Sequence, residues 1–186
     1  MQSRIDPELN RDETDLFHRI YRLAAKTLSK VGHLPPAAFF RVGSRVELPG
    51  LTPGNVAALK LDMPGTDDGK DALAVMLREF ASRADAELAI LLLESWMVKP
   101  NAAEAQYMKE HGEFSVRPSE HPDRIEIVLI NVSKPGGHSW SAWVEIHRDD
   151  TGTPSIAPEP PPLEYLRSEG RFANILEDAG AKFSLS

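Results

Sequence analysis

Residues 87–98 read ELAILLLESWMV, and six consecutive apolar side chains run from Leu88 to Leu93. Successive side chains of a strand point to opposite faces, so an unbroken apolar strand has to be covered on both. In a chain of 186 residues that places the strand centrally, with other elements above and below it. At Glu94 the pattern changes. Period-two spacing then sets Glu94, Trp96 and Val98 on one face, and Ser95 and Met97 on the other.

Two further strands are expected after it. Residues 124–132 (RIEIVLINV) alternate Ile125, Ile127 and Leu129 against Glu126, Val128 and Ile130. Residues 138–148 (HSWSAWVEIHR) alternate Trp140, Ala142, Val144 and Ile146 against Ser141, Trp143, Glu145 and His147. The Pro135-Gly136-Gly137 sequence turns the chain between them. The second and third strands therefore read as antiparallel neighbours with one apolar face. Trp140 reads as core. Trp96 and Trp143 have two readings: packing under a helix, or exposure, and an exposed Trp is a hot-spot residue type at interfaces. His138 and His147 face opposite sides of a regular strand, so no shared metal is expected of them.

Before this block, residues 12–31 carry Leu16, Ile20, Leu23, Ala24, Leu28 and Val31 at helical spacing, with Asp12 or Asp15 as cap and Gly32 beyond the end. His18 lies off that stripe and His33 in the loop that follows. Residues 37–42 and 45–48 read as a hairpin turning at Gly43-Ser44. Residues 49–69 are rich in Pro and Gly and read mostly as loop, with one short extended piece around Val56, Ala58, Leu61 and Met63. A second helix over 71–84 buries Leu73, Leu77, Phe80 and Ala81, capped by Asp68 or Asp71. A third, short helix starts at Asn101, where Glu104 completes a capping-box pattern, and stops near Gly112.

The order is helix, two strands, helix, three strands. An α+β domain follows, a five-stranded antiparallel sheet packed by two long helices over residues 12–150. The same order of elements occurs in profilin-like and roadblock-like domains, which is an analogy of topology. Residues 1–11 read as a flexible N-terminus. Residues 151–186 read as a proline-rich arm, stiff over 154–162, followed by short helical pieces at 163–167 and 172–179.

The chain has no cysteine, which removes disulfides, thiolate metal sites and cysteine nucleophiles. Its net charge is −7 with no clustered Lys and Arg, so nucleic acid is not an expected partner. No apolar run reaches the ~20 residues that span a bilayer, and the polar, acidic first residues are unlike a signal peptide. A cytoplasmic protein, with no membrane partner and no cofactor, is the expectation. Neither a GxxxxGK[ST] loop nor a GxGxxG turn is present, so nucleotide binding has no support.

Chemistry concentrates at Ser119-Glu120-His121-Pro122-Asp123-Arg124. If residues 87–98 and 124–132 pair antiparallel, Glu94 and Trp96 meet Arg124 and Glu126 at one sheet end. Glu94 and His121 would then form an acid/base pair, or Glu94, His121 and Asp123 a hard-metal site. The spacing matches no zinc-hydrolase motif, and no Gly-x-Ser-x-Gly elbow surrounds Ser119. The competing reading is structural: a self-capped turn in which Ser119 and Asp123 hold backbone N–H groups and Arg124 pairs with Glu94 or Glu126.

The Glu94-Ser95-Trp96 strand end and the Ser119–Arg124 motif also give the chain a resemblance. It resembles an uncharacterised group of small bacterial and phage-borne proteins, over roughly residues 12–150. That group has no assigned activity, so the resemblance implies a fold and no mechanism. Three functional readings stand. The first is a non-enzymatic protein-binding or regulatory module, using a sheet edge, the Trp96 and Trp143 side chains or the proline arm, with a protein partner or a second copy. The second is a hydrolase-like acid/base enzyme at Glu94, His121, Asp123 and Arg124. The third, small-ligand sensing between sheet and helices, requires a roomy apolar pocket.

Overall fold

A computed structural model of the chain describes residues 9–112, 116, 119–165, 172, 175 and 176. The apolar run becomes β3 (Leu88–Val98), and the sheet is built outward from it. Its neighbours are β1 (Ala37–Arg41) on one side and β4 (Arg124–Lys134) on the other. β2 (Val56–Lys60) lies outside β1, and β5 (His138–Glu145) outside β4. These five strands are antiparallel throughout. A two-residue strand, β8 (Glu164–Tyr165), extends the β5 edge, giving the order β2-β1-β3-β4-β5-β8. A separate two-stranded ladder joins β6 (His147–Arg148) to β7 (Pro154–Ser155).

One long helix covers each face. α1 (Arg11–Val31) packs on Leu88, Ile90 and Leu92 of β3, with Val128, Ile130 and Val132 of β4 and Trp140 of β5 beside them. α2 (Asp67–Arg83) packs on Ala89 and Leu91, with Phe40 and Val42 from β1 and its end. All five side chains from Leu88 to Leu92 are at most 2% exposed, as an apolar run on a central strand requires.

The caps differ from those expected. Asn10, rather than Asp12 or Asp15, caps α1: its side chain accepts from the Glu13 N–H at 3.0 Å, while the Glu13 carboxylate accepts from the Asn10 N–H at 2.8 Å. Thr66, rather than Asp68 or Asp71, caps α2. Glu13 also holds Lys134 Nζ at 2.9 Å, which ties the start of α1 to the end of β4. The stretch expected to be a loose N-terminus, 1–11, thus ends in a reciprocal cap; residues 1–8 lie outside the described residues. The C-terminal expectation holds, with Gly32 left-handed at φ 86°. Asn101 caps α3 (Ala102–His111), and Gly112 closes it at φ 77°.

The hairpin expected at Gly43-Ser44 does not form. β1 pairs with 56–60 instead, from Ala37 opposite Lys60 to Arg41 opposite Val56. Residues 45–48 form no strand and are held against the end of α2. Gly43 N–H donates to Ala84 O at 3.1 Å and Glu47 N–H to Arg83 O at 2.7 Å. Arg45 closes this lock: its N–H reaches Asp85 Oδ2 at 3.0 Å and its guanidinium reaches Oδ1 at 2.6 Å. The hydrogen bonds from Arg45 hold the Asp85 carboxyl below its ordinary pKa.

The proline-rich stretch is drawn along the body. Ile156 and Leu163 are buried in the α1-side core, and Tyr21 Oη donates to Ala157 O at 2.6 Å. Where a helical piece was expected at 163–167, Glu164–Tyr165 is strand. The piece expected at 172–179 lies mostly outside the described residues, although Ile175 and Leu176 belong to the α2-side core.

Candidate functional site

The antiparallel pairing of β3 and β4 brings together the sheet end that the sequence singled out. Trp96 stands opposite Glu126, and Val98 opposite Arg124. The partners, however, are not those expected. Glu94 reaches across to the loop after α1, where Oε1 accepts the Leu34 N–H at 2.6 Å. Glu126 is taken by Arg148, whose guanidinium donates twice, at 2.9 and 2.8 Å. That doubly hydrogen-bonded pair raises the Arg148 pKa above its ordinary value, and the charge of Glu94 adds to the effect. Arg124 pairs with neither carboxylate. Its guanidinium carbon lies 4.9 Å from the centroid of the Trp96 ring, a cation–π arrangement.

His121 is buried, and its Nδ1 accepts the Asp123 N–H at 3.1 Å. Arg124 N–H donates to His121 O at 3.2 Å. The motif therefore behaves as a turn that folds upon itself, with His121 taking the part expected of Ser119 and Asp123. Among the described residues no group of three or more His, Asp or Glu side chains could hold a metal ion. Arg148 is the member of this cluster that sequence reasoning missed. Its only signal was its place at the end of an alternating strand, and its pairing with Glu126 spans 22 positions.

The Glu94 contact gives a direct expectation. Glu94→Ala leaves the part-buried Leu34 N–H without its acceptor and should lower stability by about 2 kcal/mol. Glu94→Gln keeps a carbonyl oxygen in place and should cost less than about 1 kcal/mol. Urea denaturation distinguishes the two. Equal, near-zero effects would remove Glu94 from this structural role.

Trp96 and Trp143 are 40% and 44% exposed, so the alternative reading, in which both pack under a helix, does not hold. Trp96 shares the α1 side of the sheet with Glu94. Trp143 faces the other side, opposite Leu129, with Lys99 Nζ 5.7 Å from its ring centroid. The two rings therefore cannot form one patch.

A different surface emerges between α1 and the outer edge of the sheet. The helix buries Phe17 and Tyr21 instead of Leu23 and Val31, which are 51% and 54% exposed. The apolar stripe is thus turned relative to the one expected, because β1 and β2 leave the helix flank beside them open. Three adjoining depressions of about 520, 460 and 320 Å³ follow that flank. They share Arg19 and Val56 at one junction, and Leu23, Phe39 and Ala58 at the other, so they form one groove.

The floor of the groove is a strand edge that, among the described residues, has no further strand beside it. β2 ends the sheet. The bond from Leu61 N–H to Pro36 O, 2.8 Å, sets the phase of its ladder with β1. By period two, Leu59 and Ala57 turn their backbone groups toward β1, while Lys60, Ala58 and Val56 turn theirs outward. Those three residues are exposed. The signal for this edge lay in the alternation of Val56, Ala58 and Lys60, embedded in a Pro- and Gly-rich stretch that favours a loop reading.

Among the described residues, fold and groove together define an α+β protein with an antiparallel sheet covered on both faces and an unpaired edge at β2. No helix among the described residues is long and apolar enough to cross a membrane. Comparisons with family models, with curated proteins and with solved structures find no match for this chain.

Proposed function

We propose that this chain is a non-enzymatic protein-binding module, and that the groove between α1 and β2 is its binding surface. The observation supporting this is the coincidence of an open strand edge at Val56, Ala58 and Lys60 with an exposed apolar helix flank at Leu23. An unpaired edge is a template for another strand, and folded chains usually blunt such edges with charge, proline or a covering element. Here Lys60 is the only charge on a five-residue strand, VAALK. The acid/base reading draws less support, because Glu94 and the His121 Nδ1 each already accept a backbone N–H.

Three surface variants test the reading. Leu23→Glu places a charge in the groove without disturbing the core, so stability should move by no more than about 0.5 kcal/mol. Association with a partner should weaken by about tenfold or more, the result of charging a central apolar contact. Trp143→Ala and Trp96→Ala lie elsewhere and should change it less. Binding measured by isothermal calorimetry or light scattering separates the surfaces. If Trp143→Ala were the disruptive change and Leu23→Glu had no effect, the binding surface would be the opposite face.

A further inference from the structure

The groove has a chemistry of its own, and we infer from it the kind of segment that fits. The inference rests on the binding reading above. We propose that the occupant is an extended, acidic segment of a partner protein, added to β2 as a further strand with an acid–x–apolar–x–acid pattern.

The backbone sets the first requirement. Val56, Ala58 and Lys60 each turn an N–H and a C=O outward, so a strand laid beside them meets donors and acceptors at every second residue. From Val56 to Lys60 the span is about 13 Å, which five residues of an added strand cover. Side chains of that strand at its first, third and fifth positions would share the α1 side with Val56, Ala58 and Lys60.

The lining sets the second. At the centre, Ala58 lies with Leu23 and Phe39, a small residue between two large apolar ones, which leaves room for one apolar side chain. At the Val56 end stand Arg19 and Arg22. At the other end stands Lys60. None of these three cations makes an ion pair among the described residues. A chain with a net charge of −7 thus carries cations at both ends of its apolar groove. Asp12 and Asp15 line the same depression as Arg19 and Val56, about 10 and 6 Å before Arg19 along the helix, but neither lines the central depression where Arg19 lies with Ala58. Arg41 is engaged by Glu87 at 3.3 Å and adds little. Because both ends are cationic, the pattern reads alike in either strand direction. A second copy fits worse: antiparallel self-pairing about Ala58 would bring Lys60 of one chain to Val56 of the other, beside Arg19 and Arg22.

Labelled peptides test this on the full chain by fluorescence polarisation. One carries Asp-Thr-Leu-Thr-Asp between Ser-Gly flanks, a second Lys-Thr-Leu-Thr-Lys, and a third moves Leu by one position. The acidic in-phase peptide should bind at least about tenfold more tightly than the basic one, since two half-exposed charge pairs are gained rather than opposed, and its affinity should fall with salt. Ala58→Pro should abolish binding while leaving the melting temperature near wild type, because that N–H points away from β1. The double variant Arg19→Glu, Arg22→Glu should reverse the charge preference. Stronger binding of the basic peptide, or binding indifferent to Ala58→Pro, overturns the proposal. If no peptide binds but the chain dimerises in a manner lost with Ala58→Pro, the acidic partner is wrong and the groove reading survives. If no peptide binds and no association responds to Leu23→Glu, both fail.

Discussion

A chain ending at Thr153 should fail to reach a cooperative native state. The cut removes Ile156 and Leu163 from the α1-side core, and Ile175 and Leu176 from the α2-side core. Burying a large aliphatic side chain stabilises by about 1.5–3 kcal/mol, so four of them amount to roughly 6–12 kcal/mol. That is comparable with the whole stability of a domain, about 5–15 kcal/mol. The same cut takes away the acceptor of the Tyr21 hydroxyl and the strand paired with Trp140 and Ser141. Near-UV circular dichroism should show lost tertiary signal, and the thermal transition should broaden or vanish. A truncated chain that melted cooperatively within a few degrees of wild type would show that the segment is dispensable. The expectation also governs how a binding experiment is interpreted. Lost association on truncation would report a lost fold and would not identify residues 154–162 as a binding arm.

Gly43→Ala should cost about 3 kcal/mol or more, at the upper end of overpacking effects. A Cβ built there lies 2.1 Å from the carbonyl oxygen of Asp85 and 2.7 Å from its Oδ2. The nearer atom belongs to the backbone, so no rotamer change relieves the clash. The displaced segment would also strain the Gly43 N–H bond to Ala84 O and the Arg45–Asp85 pair. Ser44→Ala, at the exposed neighbouring position, should stay within about 0.5 kcal/mol. Denaturant midpoints check both, with the slope unchanged if only stability moves. A Gly43→Ala variant as stable as the Ser44→Ala control would mean that the two backbones do not approach so closely.

The same glycine shows where sequence reasoning stopped. Gly43-Ser44 between two Arg-Val pairs has the pattern of a hairpin turn, yet the glycine serves a close approach to Asp85. Nothing local separates those two uses. The partner of β1 lies fifteen or more positions downstream, past several turn residues, and pairing at that distance leaves no periodic trace. The Glu94 site behaves likewise. Its location at the meeting of β3 and β4 was legible, because alternation and antiparallel pairing fix which ends meet. Its bonds were not, because Leu34 lies in the loop after α1 and Arg148 in β6, and the courses of both depend on tertiary packing.

What the sequence determined by itself is what period and composition encode: a central strand apolar on both faces, two amphipathic helices, the Asn101 cap, the left-handed glycine after α1, and an α+β class with an antiparallel sheet. These are local, and neighbouring residues suffice to specify them. Tertiary structure alone decided which flank of α1 is buried, which strand borders β1, that residues 154–165 close the core, and that β2 is the last strand of the sheet among the described residues. Each depends on a competition between distant surfaces for the same contact, and only the folded chain shows which of them won.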